Sequence, residues 1–121
     1  MIGIGTDLVE LDRFRLALSR TPRLPERVFS DAERAYAARR RDPTERLAAR
    51  FAAKEAVMKA MGVGLWKFKL RDVEVVRAPS GQPTVALHGR AAELAAEKGV
   101  TEWRLTLTHT DRVAQAIAVA L

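Results

Sequence analysis

Residues 50–64 read RFAAKEAVMKAMGVG, and DPTERLAA (residues 42–49) continues the same periodic segment toward the N-terminus. At about 100° per residue, Leu47, Phe51, Met58 and Met61 share one stripe, while Ala49, Ala52, Ala53, Ala56 and Ala60 cover the opposite side. Asp42-Pro43-Thr44-Glu45 supplies a cap, a proline at the first helical position and an acid in the first turn, and Gly62 supplies the stop. The pattern predicts a helix from Pro43 to about Met61 with no properly polar face. Such a helix is central, packed on its large stripe and closely approached on its alanine side. Yet Lys54 falls inside the apolar stripe, and Glu55 and Lys59 lie at its border, one turn apart. Buried charge is costly unless it is paired or holds a ligand. Two readings of Glu55 and Lys59 stand side by side: a surface ion pair of about 0.3–0.5 kcal/mol, or part of a site.

Working outward, the first seven residues read as a short strand whose glycines at 3 and 5 permit close backbone approach, with Asp7 at its end. From Leu8 the pattern becomes helical, with Val9, Phe14 and Leu18 as core contacts, and the segment around Pro22 and Pro25 breaks it. Ser30-Asp31-Ala32-Glu33 has the form of a capping box, predicting a helix over about 31–41. Beyond Gly64 the period shortens. Val73 and Val75 mark a strand, 79–83 a turn and 84–87 the returning strand; a helix over about 90–98 ends at Gly99. Trp103, Leu105 and Leu107 alternate with polar residues, and 113–121 is a last apolar strand. Helices gathered in the first half and strands in the second predict an α+β fold with an antiparallel sheet.

The 121 residues suffice for about one domain, taken here as 1–121. With 48% hydrophobic and 30% charged residues the chain can close a core, which excludes a disordered tail or a fibre. No apolar run approaches the ~20 residues needed to cross a bilayer, and residues 1–7 lack the features of a signal peptide, so the expectation is a cytoplasmic protein without membrane contact. There is no cysteine and only His88 and His109, which excludes thiolate chemistry and leaves oxygen as the main donor to any metal. Residues 13–50 hold eleven arginines and five acids, the whole of the net charge of +6. This concentration predicts a basic face that steers toward an anionic partner. A nucleic-acid-binding module would use these arginines, but it leaves Glu55 unexplained, and Phe14, Phe29 and Tyr36 are the only aromatics available for base stacking there.

Asp7 and Glu55, two carboxylates in a chain without cysteine, point to a hard cation such as Mg²⁺, which keeps waters and takes substrate phosphates as further ligands. Lys59 would then neutralise phosphate oxygens. His109 closes an alternating strand in a turn made polar by Thr108, Thr110 and Asp111, and it reads either as a strand-end histidine with one hydrogen bond or as a phosphate ligand or proton carrier.

Three segments, GIGTDLVELDR (3–13), RFAAKEAVMKAMGVG (50–64) and LTLTHT (105–110), resemble the signatures of the holo-[acyl-carrier-protein] synthases, the small bacterial members of the 4'-phosphopantetheinyl transferase superfamily. Order, spacing and length agree over the whole chain. The resemblance implies that family's fold, with an antiparallel sheet packed on a long central helix. It also implies Mg²⁺-dependent transfer of the phosphopantetheine arm of coenzyme A to a serine of apo acyl carrier protein, in support of fatty acid biosynthesis, with release of adenosine 3',5'-bisphosphate. Asp7 and Glu55 would hold Mg²⁺, and Arg50, Lys59, Gly62, His109 and Thr110 would contact coenzyme A. Homotrimers with active sites between subunits are implied as well. Glu55 acting through a metal-bound water, His109 and Asp111 are the candidates to accept the serine proton, with Glu55 preferred. Because acyl carrier proteins are acidic, Arg13 and Arg27 are expected to dock the carrier. A coenzyme A binder without transferase activity is the alternative within this resemblance.

Overall fold

From the N-terminus, strand β1 (Gly3–Glu10) leads into helices α1 (Leu11–Arg20), α2 (Leu24–Val28), α3 (Asp31–Ala37) and the long α4 (Thr44–Ala60). A 3-10 turn at Leu70–Asp72 precedes the hairpin β2 (Val73–Arg77) and β3 (Pro83–Leu87), helix α5 (Gly89–Glu97), and the strands β4 (Trp103–His109) and β5 (Val113–Ala120). The computed structural model describes residues 1–64 and 66–121. Strands β1, β5 and β4 form an antiparallel sheet in that order, and β2 and β3 form a second, two-stranded one. This is the expected α+β fold. No helix is long and apolar enough to cross a membrane among the described residues.

Helix α4 lies across the inner face of the three-stranded sheet. Ala114, Ala116, Ala118 and Ala120 of β5 and Ala52, Ala53, Ala56 and Ala60 of α4 are all buried. These short side chains let the two backbones come together. Gly3 and Gly5 carry this further: a Cβ at Gly3 would overlap the carbonyl oxygen of Ala60, and one at Gly5 would overlap that of Ala56. On its other side α4 buries Leu47, Met58 and Met61, and Phe51 stacks at 5.4 Å from Phe14 of α1.

Lys54, anomalous in the sequence, is fully buried against an equally buried Glu33. Its Nζ donates to Glu33 Oε1 at 2.8 Å, to Leu70 O at 3.2 Å and to Val73 O. Glu33 completes the predicted capping box by accepting from Ser30 N at 2.8 Å, and its other oxygen accepts from Val75 N at 2.9 Å. One ion pair thus joins α3, α4 and β2.

Several boundaries differ from expectation. β1 runs to Glu10 and α1 starts at Leu11, not Leu8, because β5 continues to Val113 and offers Leu8, Val9 and Glu10 ladder partners. Asp7 therefore lies within the strand, not at its end. The break after α1 contains α2, with Pro25 in its first turn. α3 stops at Ala37, short of 41, where Arg39 N and Arg40 N turn back to the carbonyls three residues earlier and the Arg46 side chain takes Tyr36 O. α4 begins at Thr44, whose amide donates to Asp42 Oδ1 at 3.0 Å.

The Gly5–Ala56 contact leaves no room for a methyl group. Gly5→Ala is expected to cost about 3 kcal/mol or more, the upper end for overpacking, and to lower Tm by on the order of 10 °C. Gly64→Ala, where no atom of the described residues apart from its chain neighbours lies within 4 Å of the added carbon, should leave Tm nearly unchanged. Thermal unfolding followed by circular dichroism checks both.

Candidate active site

The register of β1 on β5 places Asp7 opposite Ala116, facing α4 with Gly3, Gly5 and Val9. The close approach of that strand to α4 brings Asp7 beside the helix face that carries Glu55 and Lys59. Lys59 Nζ donates to Thr6 O at 2.9 Å and to Asp7 Oδ1 at 3.1 Å. The Asp7 side chain is 17% exposed and that of Lys59 is 54% exposed, so the ammonium has a free side toward solvent. Of the two readings of Glu55 and Lys59, the surface ion pair does not form: the lysine turns to Asp7.

Glu55 makes no hydrogen bond or ion pair among the described residues. Burial raises its pKa above the usual carboxylate value, the Asp7 charge adds to the rise, and Lys59 opposes it. Its carboxylate lies on the wall shared by two depressions. One is a cleft of about 910 Å³ with apolar sides from Leu24, Val28, Phe51 and Met58, and with Arg27 at its rim. The other, about 440 Å³, is bordered by Asp7 and Arg13. Arg13 and Arg27, the residues expected to dock a carrier, are both exposed and flank Glu55 from two directions. Gly62 follows the end of α4 with φ +69°, the left-handed conformation a glycine supplies there.

His109, Thr110 and Asp111 gather at the opposite end of α4, and Arg50 lies midway along the helix. His109 Nε2 lies 3.3 Å from Glu45 Oε1. Thr110 Oγ1 accepts from the amides of Arg112 and Val113, both at 3.1 Å, which closes the β4–β5 turn. Asp111 borders a separate depression with Arg15, Arg40, Arg41 and Arg46. Arg50, 5% exposed, lies with its guanidinium 4.4 Å from the centre of the Tyr36 ring, and its Nε has no hydrogen-bond partner among the described residues. Glu45 and Glu55 stand ten positions apart on one helix, about 15 Å along its axis. A single chain therefore presents separated groups: Asp7, Glu55, Lys59, Arg13 and Arg27 in one, His109, Thr110 and Asp111 in a second near Glu45, and Arg50 beside Tyr36 in a third.

Sequence reasoning missed Tyr36, around which Arg46, Arg50, Arg77 and Arg39 gather at 4.0, 4.4, 4.9 and 5.6 Å. Nor does it suggest Glu45 as the partner of His109. No motif spacing marks either group. The arginines of residues 13–50 also do not form the single basic face expected: Arg15 pairs with Asp12 and Asp42, Arg34 with Asp31, and others surround Tyr36.

Residues 3–118 match the family model described as the 4'-phosphopantetheinyl transferase superfamily. The chain belongs to that superfamily. It is 47% identical over 119 residues to the holo-[acyl-carrier-protein] synthase of Moorella thermoacetica, covering 98% of this chain and 93% of the relative. The holo-[acyl-carrier-protein] synthase from Neisseria meningitidis has a TM-score of 0.91 at 28% identity, with 100% of this chain and 99% of that one covered. The holo-(acyl-carrier-protein) synthase from Bacillus anthracis in complex with CoA (3',5'-ADP) has a TM-score of 0.81 at 31% identity, covering 98% and 95%. As a member of the superfamily the chain is an enzyme, a transferase of the 4'-phosphopantetheine group.

The carboxylate pair sets a pH dependence. Because the folded state raises the Glu55 pKa, it holds that proton more tightly than the unfolded chain does. Ionised Glu55 thus opposes folding above its folded-state pKa, and the penalty disappears as pH falls toward the ordinary value of 4.5. In buffer containing a chelator, Glu55→Gln should raise Tm by a few degrees at neutral pH, and the gain should shrink to nothing as the melts are repeated at progressively lower pH.

Proposed function

We propose that the chain transfers the 4'-phosphopantetheine group of coenzyme A to a serine hydroxyl of apo acyl carrier protein, giving holo carrier protein and adenosine 3',5'-bisphosphate, in the cytoplasm. The observation that carries this reading is the cluster of Asp7, Glu55 and a half-exposed Lys59, of which Glu55 also lines an apolar cleft. The names of the matched relatives and the coenzyme A complex of one of them support the substrate pair.

The donor set fits Mg²⁺. Both donors are carboxylates, and no group of three or more His, Cys, Asp or Glu side chains converges among the described residues, which suits an ion that fills its shell with water and substrate oxygens. Two neighbouring carboxylates, one with a raised pKa and no partner, are also what a divalent cation relieves. When bound, Mg²⁺ would supply charge neutralisation for the pyrophosphate under attack. Lys59, anchored by Thr6 O and Asp7, offers its solvent side to a phosphate oxygen. Glu55, whose carboxylate makes no hydrogen bond among the described residues, accepts the serine proton through a water molecule; His109 and Asp111 lie by the Glu45 end of α4, too far to do so within one chain.

That separation supports a homotrimer with sites between subunits. The sheet face opposite α4 exposes Ile4 at 59%, Leu8 at 60% and Ile117 at 37%, an apolar patch on adjacent strands that a second copy would cover. The copy would bring its own His109, Thr110 and Arg50 toward coenzyme A held at Asp7 and Glu55.

Incubation with coenzyme A, Mg²⁺ and apo carrier protein should add the phosphopantetheine mass to the carrier; an unmodified carrier overturns the reading and leaves a coenzyme A binder or a nucleic-acid module. Asp7→Ala and Glu55→Ala should each reduce turnover by about a hundredfold or more while the helical circular dichroism signal is retained, and full activity of Glu55→Ala in Mg²⁺ would remove the metal assignment.

Carrier docking gives a separate test. Exposed charges are screened beyond ~8–10 Å at ordinary ionic strength, whereas groups in contact are not. Raising the salt should therefore increase KM for the carrier far more than KM for coenzyme A. Arg13→Glu or Arg27→Glu should reproduce that change at low salt. Carrier kinetics indifferent to both would show that docking is apolar.

A further inference from the structure

We infer that Arg71 is a positioning residue for carrier docking: it fastens α2, the five-residue helix that carries Arg27, to the 3-10 turn on the same cleft. This rests on the docking role proposed for Arg27. Five residues are too few to hold a helix in water without outside partners. Arg71 provides them, donating from Nη1 to Glu26 O at 2.8 Å and to Phe29 O at 2.5 Å, and from Nη2 to Asp31 Oδ1 at 3.0 Å. Glu26 O and Phe29 O belong to the last turn of α2 and its cap, where carbonyls lack partners within the helix and a cation is favoured. Asp31 opens α3, so a single guanidinium spans the end of α2 and the start of the helix that follows.

The geometric consequence falls on the cleft beside Glu55. α2 contributes Leu24, Arg27 and Val28 to its lining, and the segment bearing Arg71 contributes Leu70 and Asp72. Arg71 itself does not line the cleft; it reaches behind it. Its guanidinium therefore fixes where Arg27 stands relative to Glu55 without meeting the substrate. Lysine would not replace it, since one ammonium cannot span two carbonyls and a carboxylate as a planar fork does.

The test combines Arg71→Met with hydrogen exchange and steady-state kinetics on the full chain. Exchange of the amides of residues 24–29 should accelerate, and KM for apo carrier protein should rise about five- to tenfold, while KM for coenzyme A and kcat at saturating carrier stay within about twofold. In an Arg27→Ala background the same substitution should add less than about twofold to the carrier KM, because both changes act on one docking wall. Unchanged exchange overturns the inference, as does unchanged carrier KM despite faster exchange. Multiplying effects in the double variant also overturn it, by showing that Arg71 meets the carrier directly. If Arg71→Met does not fold, Arg71→Lys gives the same comparison with a smaller rise. An inactive wild type, or an Arg27→Ala variant with normal carrier KM, instead marks failure of the docking reading on which the inference stands.

Discussion

The contact between β1 and α4 is the constraint from which the site follows. Helix and strand usually keep a side chain's width between them, but here Gly3 and Gly5 meet the backbone of Ala56 and Ala60 directly. This proximity lets Lys59 Nζ reach a main-chain carbonyl of the neighbouring strand, Thr6 O, while also holding the Asp7 carboxylate. It also brings two acids from distant parts of the chain close enough for Asp7 to raise the Glu55 pKa. A larger residue at position 5 would move the helix outward and open the cluster. The small side chains are thus a requirement of the chemistry as well as of the packing.

The buried pair of Lys54 and Glu33 fixes the same helix from the other side. Removing two charges from water is costly, and the compensation is the number of partners. Glu33 accepts from Ser30 N, Lys54 Nζ and Val75 N, while Lys54 also donates to two carbonyls. Apolar residues of equal volume could pack there, but they would not specify the position of β2 against α3 and α4. Glu33 thereby acts both within its own helix, closing the capping box, and across the fold. Between the glycine contact and this ion pair, α4 is held in rotation and in height, which determines where Glu55 points.

Much of this was legible because it is local. The alanine face of 47–61 and the glycines at 3 and 5 announce close approach, and Ser30 with Glu33 announces a helix start; each reads from residues within a few positions. The two carboxylates were legible as well, since charge on an apolar helix needs a reason. What was not legible depends on pairing over long separations. The length of β1 is decided by β5, more than a hundred residues later, and so is the place of Asp7 within the strand. The partner of Lys54 is 21 positions away and could not be told from any other acid. Of the arginines around Tyr36, Arg39 follows α3, Arg46 and Arg50 lie on α4 and Arg77 ends β2, so the first three read in the sequence as part of one basic segment and the fourth as unrelated to it.

That division changes the meaning of the net charge. Of the arginines in residues 13–50, Arg15 and Arg34 are neutralised by aspartates, while Arg39, Arg46 and Arg50 crowd one aromatic ring. Arg50 is almost completely buried there, with Nε unsatisfied among the described residues. A buried guanidinium with an open valence is unfavourable in an isolated chain and becomes favourable when an anion is brought to it. Arg13 and Arg27, by contrast, are exposed and line the two depressions that Glu55 shares, where the docking proposed for them would need charge open to an arriving partner. The positive charge is therefore of two kinds, one buried and one exposed, and under the proposed function the first would suit a phosphorylated substrate and the second a transient protein. Arg50 precedes Glu55 by five positions on α4, about 7.5 Å along its axis and on a different side of the helix, so the two kinds do not share one face. In the proposed assembly a second copy would bring its His109 to the Asp7 and Glu55 of the first, since about 15 Å of α4 separate Glu45, the partner of His109, from Glu55 within one chain, and the exposed apolar strand face would give that copy its footing.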